Sequence, residues 1–210
     1  MKRNHFLRCG VAGILLLMLA FAPAAAQPRA ALMGDSITEL WLKYHPDFFS
    51  SNNLVGCGIS GQVSGQMLAR FQNDVVDRHP AVAVINAGTN DIAENQGAYH
   101  EDTTFGNIVA MVEMAQENGI QPVLTSVLPA AGFRWRPSVK DAPDKIAALN
   151  ARIQAYALEK DIPYVNYYAS LVALGRALDS AYSTDGVHPT PDGYLVMEPL
   201  LIQTLNLLTK

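Results

Sequence analysis

The sequence is short of cysteine, of charge and, after its first two dozen residues, of long apolar runs. Cysteine occurs twice in 210 residues, as Cys9 and Cys57, far too few for a disulfide-stapled fold. Charged side chains make up 16% of the chain, and 19 acids against 15 Lys and Arg leave a net charge of -4. Binding through phosphate neutralisation needs concentrated Lys and Arg, so nucleic acid is not an expected partner. No metal motif of the H-E-x-x-H kind is present, and there is neither an internal repeat nor a low-complexity segment after the N-terminus. What remains is a half-hydrophobic chain of globular composition, long enough for one domain with a proper core.

The N-terminus reads as a segment to be removed. Lys2, Arg3 and Arg8 form a basic start, Val11 to Ala22 is apolar and uncharged, and Ala24-Ala25-Ala26 offers small residues for cleavage. These are the three parts of a secretory signal peptide, and the run is too short to span a bilayer. Cys9 precedes the apolar run, which argues against a lipoprotein signal. The expected organisation is a signal peptide over 1–26 and one domain over 27–210, exported to the periplasm or medium, with no stable membrane anchor after cleavage. Cleavage takes away three basic residues and no acid, so the mature chain is more acidic. Cys57, inside an apolar run, is expected to be a small buried hydrophobe.

The rest alternates between two patterns. Ala30 to Met33, Leu54 to Gly58, Ala81 to Asn86, Ile120 to Val127 and Ile162 to Asn166 are apolar runs, the third continuous and β-branched, as strands buried on both faces should be. Between and after them, helical spacing is expected over 65–76, 105–118, 144–160 and 192–208, with Gly119 as a C-terminal stop. Alternation of this kind predicts a parallel sheet covered by helices on both sides, and in such sheets sites form beyond the carboxyl ends of the strands.

The residues in those positions carry the chemistry. Ser36 follows the first run and opens a helix; it suits either an N-cap or a nucleophile, which needs a base. His188 is the natural base, because Asp185 three residues earlier can reach its Nδ1 and fix the tautomer. His45, His79 and His100 have no such companion and are expected at the surface. An acyl-transfer site also needs oxyanion donors. The backbone N–H of Ser36, the backbone N–H of Gly61 and the side-chain amide of Asn90 are candidates, although Gly and Asn are also ordinary turn formers. A G-x-S-x-G elbow is absent, since position 62 is Gln62, so Ser60 is no rival on that ground.

The blocks GDSIT (34–38), GISGQ (58–62), GTND (88–91) and DGVHPT (185–190), in that order, resemble those of the SGNH hydrolase superfamily, also called the GDSL esterase/lipase family. The resemblance carries the nucleophile onto Ser36, oxyanion donors onto Gly61 and Asn90, and the rest of a triad onto Asp185 and His188. It implies a flavodoxin-like three-layer α/β/α sandwich with about five mostly parallel strands. It also implies a serine esterase acting through an acyl-enzyme without a cofactor. Two departures stand out: Gln62 where many members have an acid, and Cys57 where an arginine or another residue is frequent. The segment from Pro129 to Pro143 should border the site; its Arg134, Trp135 and Arg136 are candidates for gripping a sugar ring or an anionic group. Members with a similar Trp-Arg-Pro segment look like secreted short-chain acyl-ester hydrolases, so acetyl esters of a small molecule, carbohydrate or lipid are the expected substrates. The alternatives are a lysophospholipase or thioesterase with a long acyl groove, or a non-catalytic binding module; oligomeric state is left open.

Overall fold

The computed structural model describes residues 27–209; the expected signal segment lies outside them. Five parallel strands, β1 (Ala30–Gly34), β2 (Leu54–Gly58), β3 (Val82–Ile85), β4 (Gln121–Thr125) and β5 (Tyr164–Val165), form one sheet in the order β2-β1-β3-β4-β5. Eight helices accompany them among the described residues: α1 (Ser36–Tyr44), α2 (Pro46–Ser51), α3 (Ser64–Asp74), α4 (Thr89–Ile92), α5 (Glu101–Glu117), α6 (Ala142–Glu159), α7 (Tyr167–Leu171) and α8 (Pro191–Leu208).

Strand side chains alternate between the two faces, and both faces are buried. Ala31, Met33, Cys57, Ala83, Ile85 and Leu124 pack against α3, α5 and α6. Ala30, Leu32, Leu54, Val82, Val84 and Val123 pack against α1, α2, α7 and α8. This is the expected three-layer sandwich. All five apolar runs contain strands, though the last three strands are shorter than their runs. The four expected helices are present, and Gly119 follows α5 with a positive φ of 71°. Cys57 is buried, its Sγ lies 3.1 Å from the Asp74 carbonyl oxygen, and burial pushes the thiol up to about 11.

One expectation needs correction. His45 is not a free surface residue: its side chain is 16% exposed, and its Nδ1 lies 2.5 Å from Glu198 Oε1. The Trp41 indole N–H also donates to that oxygen, at 3.2 Å, so a carboxylate on α8 anchors the end of α1. Glu198 is a distant partner with no sequence signal. His79 and His100 are exposed as expected.

The order of the strands places the site. The chain leaves β1 to one side for β2 and returns to the other side for β3, so a crevice opens above β1. Its floor is tight. A Cβ on Gly58 would overlap the backbone of Glu39 and lie 2.7 Å from the Asp35 carbonyl oxygen. The end of β2 can therefore approach the first turn of α1 only as glycine. Gly58→Ala should cost about 3 kcal/mol of stability, at the upper end of overpacking penalties. Chemical denaturation checks this; an unchanged midpoint would show that the floor can yield.

Candidate active site

β1 ends at Gly34 and α1 begins at Ser36, so the intervening Asp35 turns the chain. Its Oδ1 accepts from the Ile37 backbone N–H at 2.9 Å, making Asp35, not Ser36, the N-cap of α1. Ser36 is left with its hydroxyl free for other work. Its Oγ lies 2.8 Å from Nε2 of His188, and Nδ1 of His188 lies 2.6 Å from Oδ2 of Asp185.

The acid and the imidazole share one tight turn. Asp185 Oδ1 accepts from the backbone N–H groups of Val187 (2.9 Å) and His188 (2.8 Å). The Ser183 hydroxyl, absent from the sequence reading, donates to the His188 carbonyl oxygen at 2.8 Å and accepts from the Gly186 N–H at 3.0 Å. Gly186 takes a φ of 81°, which a side chain would strain. Burial pushes the Asp185 carboxyl up, but the His188 ring N–H and the two backbone donors outweigh it and hold the group down at about 2. A carboxylate that stays ionised keeps the proton of His188 on Nδ1, which leaves Nε2 as an acceptor facing Ser36.

Ser36, Gly61, Asn90 and His188 line one open cleft of about 380 Å³, together with Leu40 and Trp135. Gly61 has a φ of 78°, and a Cβ on it would meet nothing within 4 Å. Its requirement for glycine is therefore conformational. Among the described residues the backbone N–H groups of Ser36 and Gly61 have no hydrogen-bond partner. The Asn90 amide differs: its Nδ2 donates at 3.1 Å both to Asp35 Oδ2 and to the Gln62 carbonyl oxygen. An oxyanion in the cleft would have to share one of those hydrogens. Asp35 itself is fully buried, and burial above all pushes its carboxyl up to about 6, with Asp91 adding to the effect and the Ile37 N–H and His188 opposing it.

The long connection after β4 reaches the site as expected, through one residue. Trp135 stacks on the His188 ring at 6.3 Å between centroids and is 44% exposed. Arg134 lies to the side, in a hollow beyond Asp185, with its guanidinium 3.4 Å from the Thr184 carbonyl oxygen. Arg136 is exposed and is not among the residues lining the cleft.

Two further residues support the site without any block to mark them. Arg70 of α3 donates to the carbonyl oxygens of Gly34 (2.9 Å) and Cys57 (2.8 Å) and to the Gln62 side chain (2.6 Å). It thereby ties the ends of β1 and β2 to the loop that carries Gly61. In sequence it reads only as the partner of Asp74 four residues on. Asn95 accepts from the Trp135 indole N–H at 2.8 Å and donates to Asn90 Oδ1 at 2.7 Å. Among the described residues no group of three or more His, Cys, Asp and Glu side chains is placed to hold a metal ion, and no helix is long and apolar enough to cross a membrane.

Comparison with known proteins gives a consistent answer. The model of the GDSL-like Lipase/Acylhydrolase family matches residues 32–196. A candidate acylhydrolase of Bacteroides fragilis is 58% identical, with a TM-score of 0.85 over 88% of this chain and 89% of that one. A GDSL-like lipase of Bacteroides thetaiotaomicron is 55% identical, with a TM-score of 0.84 over 88% and 90%. An uncharacterised lipoprotein of Bacillus subtilis is 28% identical over 86% of this chain and 92% of its own length.

Proposed function

For a chain that belongs to the GDSL-like lipase/acylhydrolase family of SGNH hydrolases, and is therefore an ester hydrolase, we propose a serine esterase mechanism built on Ser36, His188 and Asp185. The observation that carries it is the unbroken run of contacts from Ser36 Oγ to His188 Nε2 and from His188 Nδ1 to Asp185, opening into the cleft. Ser36 Oγ attacks the ester carbonyl as Nε2 takes its proton. The oxyanion is held by the N–H groups of Ser36 and Gly61, with the Asn90 amide as third donor. Collapse breaks the bond to the alcohol, which leaves with the proton from Nε2. A water molecule then attacks the acyl-enzyme, gives its proton to Nε2, and the acid departs as Ser36 regains that proton.

The substrate reading is a short acyl group, acetyl in particular. The apolar lining of the cleft is limited to Leu40 and Trp135, which is little surface for a long chain. Trp135 forms a wall on which a sugar ring can stack, while Arg134 stands beyond it for a polar or anionic extension of the leaving group. The basic, apolar and small-residue pattern of 1–26 supports export, as does the lipoprotein relative.

A series of aryl esters from acetyl to palmitoyl tests the acyl preference. Turnover should be highest for acetyl and fall steadily as the chain lengthens, because each added methylene finds little apolar surface to cover. A maximum at decanoyl or beyond would favour the lysophospholipase or thioesterase alternative. An organophosphonate should add covalently to Ser36, read by peptide mass; labelling elsewhere would remove the mechanism.

A further inference from the structure

We propose that Asn95, which lies outside all four blocks, is the positioning residue for the Asn90 amide, and that Trp135 acts on that amide through it. The inference rests on the reading of Asn90 as an oxyanion donor. A side-chain amide can be turned over by half a rotation, and only one orientation offers hydrogens to the cleft. Here both ends of a hydrogen-bonded chain dictate the orientation. The Trp135 indole N–H can only donate, so the Asn95 atom facing it at 2.8 Å is the oxygen. Asn95 Nδ2 then faces Asn90, whose nearer atom at 2.7 Å must be Oδ1. Asn90 Nδ2 is thereby turned toward Asp35 Oδ2 and the Gln62 carbonyl oxygen, both at 3.1 Å, and a carbonyl oxygen can only accept. Donor and acceptor alternate without conflict from an exposed ring to a buried carboxylate, and each bond polarises the next.

The loop is built to hold Asn95 there. Its backbone N–H donates to the Asn90 carbonyl oxygen at 3.1 Å. Glu94, just before it, takes a left-handed φ of 58°, which folds the chain back on itself and costs a non-glycine residue strain. Lys145 of α6 lies 3.3 Å from the Glu94 carboxylate and fixes the turn from outside. Without the Asn95 side chain, Asn90 Oδ1 loses its partner, and the amide is held from its Nδ2 end alone, by Asp35 and the Gln62 carbonyl oxygen.

A double-mutant cycle on acetyl ester hydrolysis decides the matter. Asn90→Ala should lower kcat roughly 100-fold, as expected for loss of an oxyanion donor. Asn95→Ala should lower kcat roughly tenfold with KM within about twofold, since only the transition state uses the oriented amide. The double variant should be no slower than Asn90→Ala, because Asn95 has nothing left to orient. Asn95→Asp keeps the acceptor for Trp135 but sets an oxygen against Asn90 Oδ1, and should be at least as slow as Asn95→Ala. If the two losses multiply in the double variant, or Asn95→Ala and Asn95→Asp change only KM, the positioning role is overturned while Asn90 keeps its own. If Asn90→Ala leaves kcat untouched, the oxyanion reading itself fails.

Discussion

Ser36→Ala should lower kcat for ester hydrolysis by about 10⁵-fold, the scale of loss when a triad loses its nucleophile. The fold should be almost indifferent. Asp35, not Ser36, caps α1, and the Ser36 hydroxyl makes one side-chain contact, to His188. The stability change should stay within about 0.5 kcal/mol, as for substitutions away from caps and cores. Turnover on an acetyl aryl ester, with circular dichroism on the same preparation, checks both halves. Near-normal turnover in a well-folded variant would show that another group attacks the ester.

His188→Ala should be comparably severe, about 10⁵-fold in kcat, because base and nucleophile act as one unit. Asp185→Asn should be milder, about 10³–10⁴-fold, by tautomer reversal. The amide oxygen of the new side chain would keep the two backbone donors of the turn. Its NH2 would then face Nδ1 and push the ring proton onto Nε2, which could no longer accept from Ser36. In the wild type the Asp185 carboxyl is held down at about 2. Its effect on stability has the sign of a depressed carboxyl. The contribution is in place above the group's ordinary 3.8 and is lost as pH falls toward 2. Near-normal turnover in a well-folded His188→Ala variant would move the role of base elsewhere.

The strands and the four blocks are legible because the same physics writes both. A parallel strand covered on two sides is largely apolar, so β1 to β5 stand out as apolar runs even though Gln121 and Thr125 bound β4, and the candidate reacting groups follow them where the chain leaves the sheet. Short helices such as α2, α4 and α7 are too brief for a helical period to develop. The supports of the site are hidden for a different reason. Arg70 looks like half of an i,i+4 surface pair, Ser183 like a loop serine, and Asn95 like one polar residue among several. Their roles lie in bonds to backbone carbonyls and distant amides, and residue type alone does not announce those. His45 is the reverse case: in sequence it has no partner, yet Glu198, 153 positions on, supplies one.

Asp185 and His188 find each other within a single turn, whereas Ser36 lies 152 positions from His188. The helix that follows them, α8, docks on the first one, with the Tyr194 hydroxyl donating to the Ile37 carbonyl oxygen at 2.8 Å. On the proposed mechanism the acid–base pair is a self-contained cassette, and its nucleophile comes from a distant part of the sequence. As synthesis proceeds from the N-terminus, Ser36 and the rim of the cleft emerge long before anything can take a proton from that hydroxyl. On the proposed mechanism, a chain that has not yet brought the 185–188 turn against α1 cannot hydrolyse an ester.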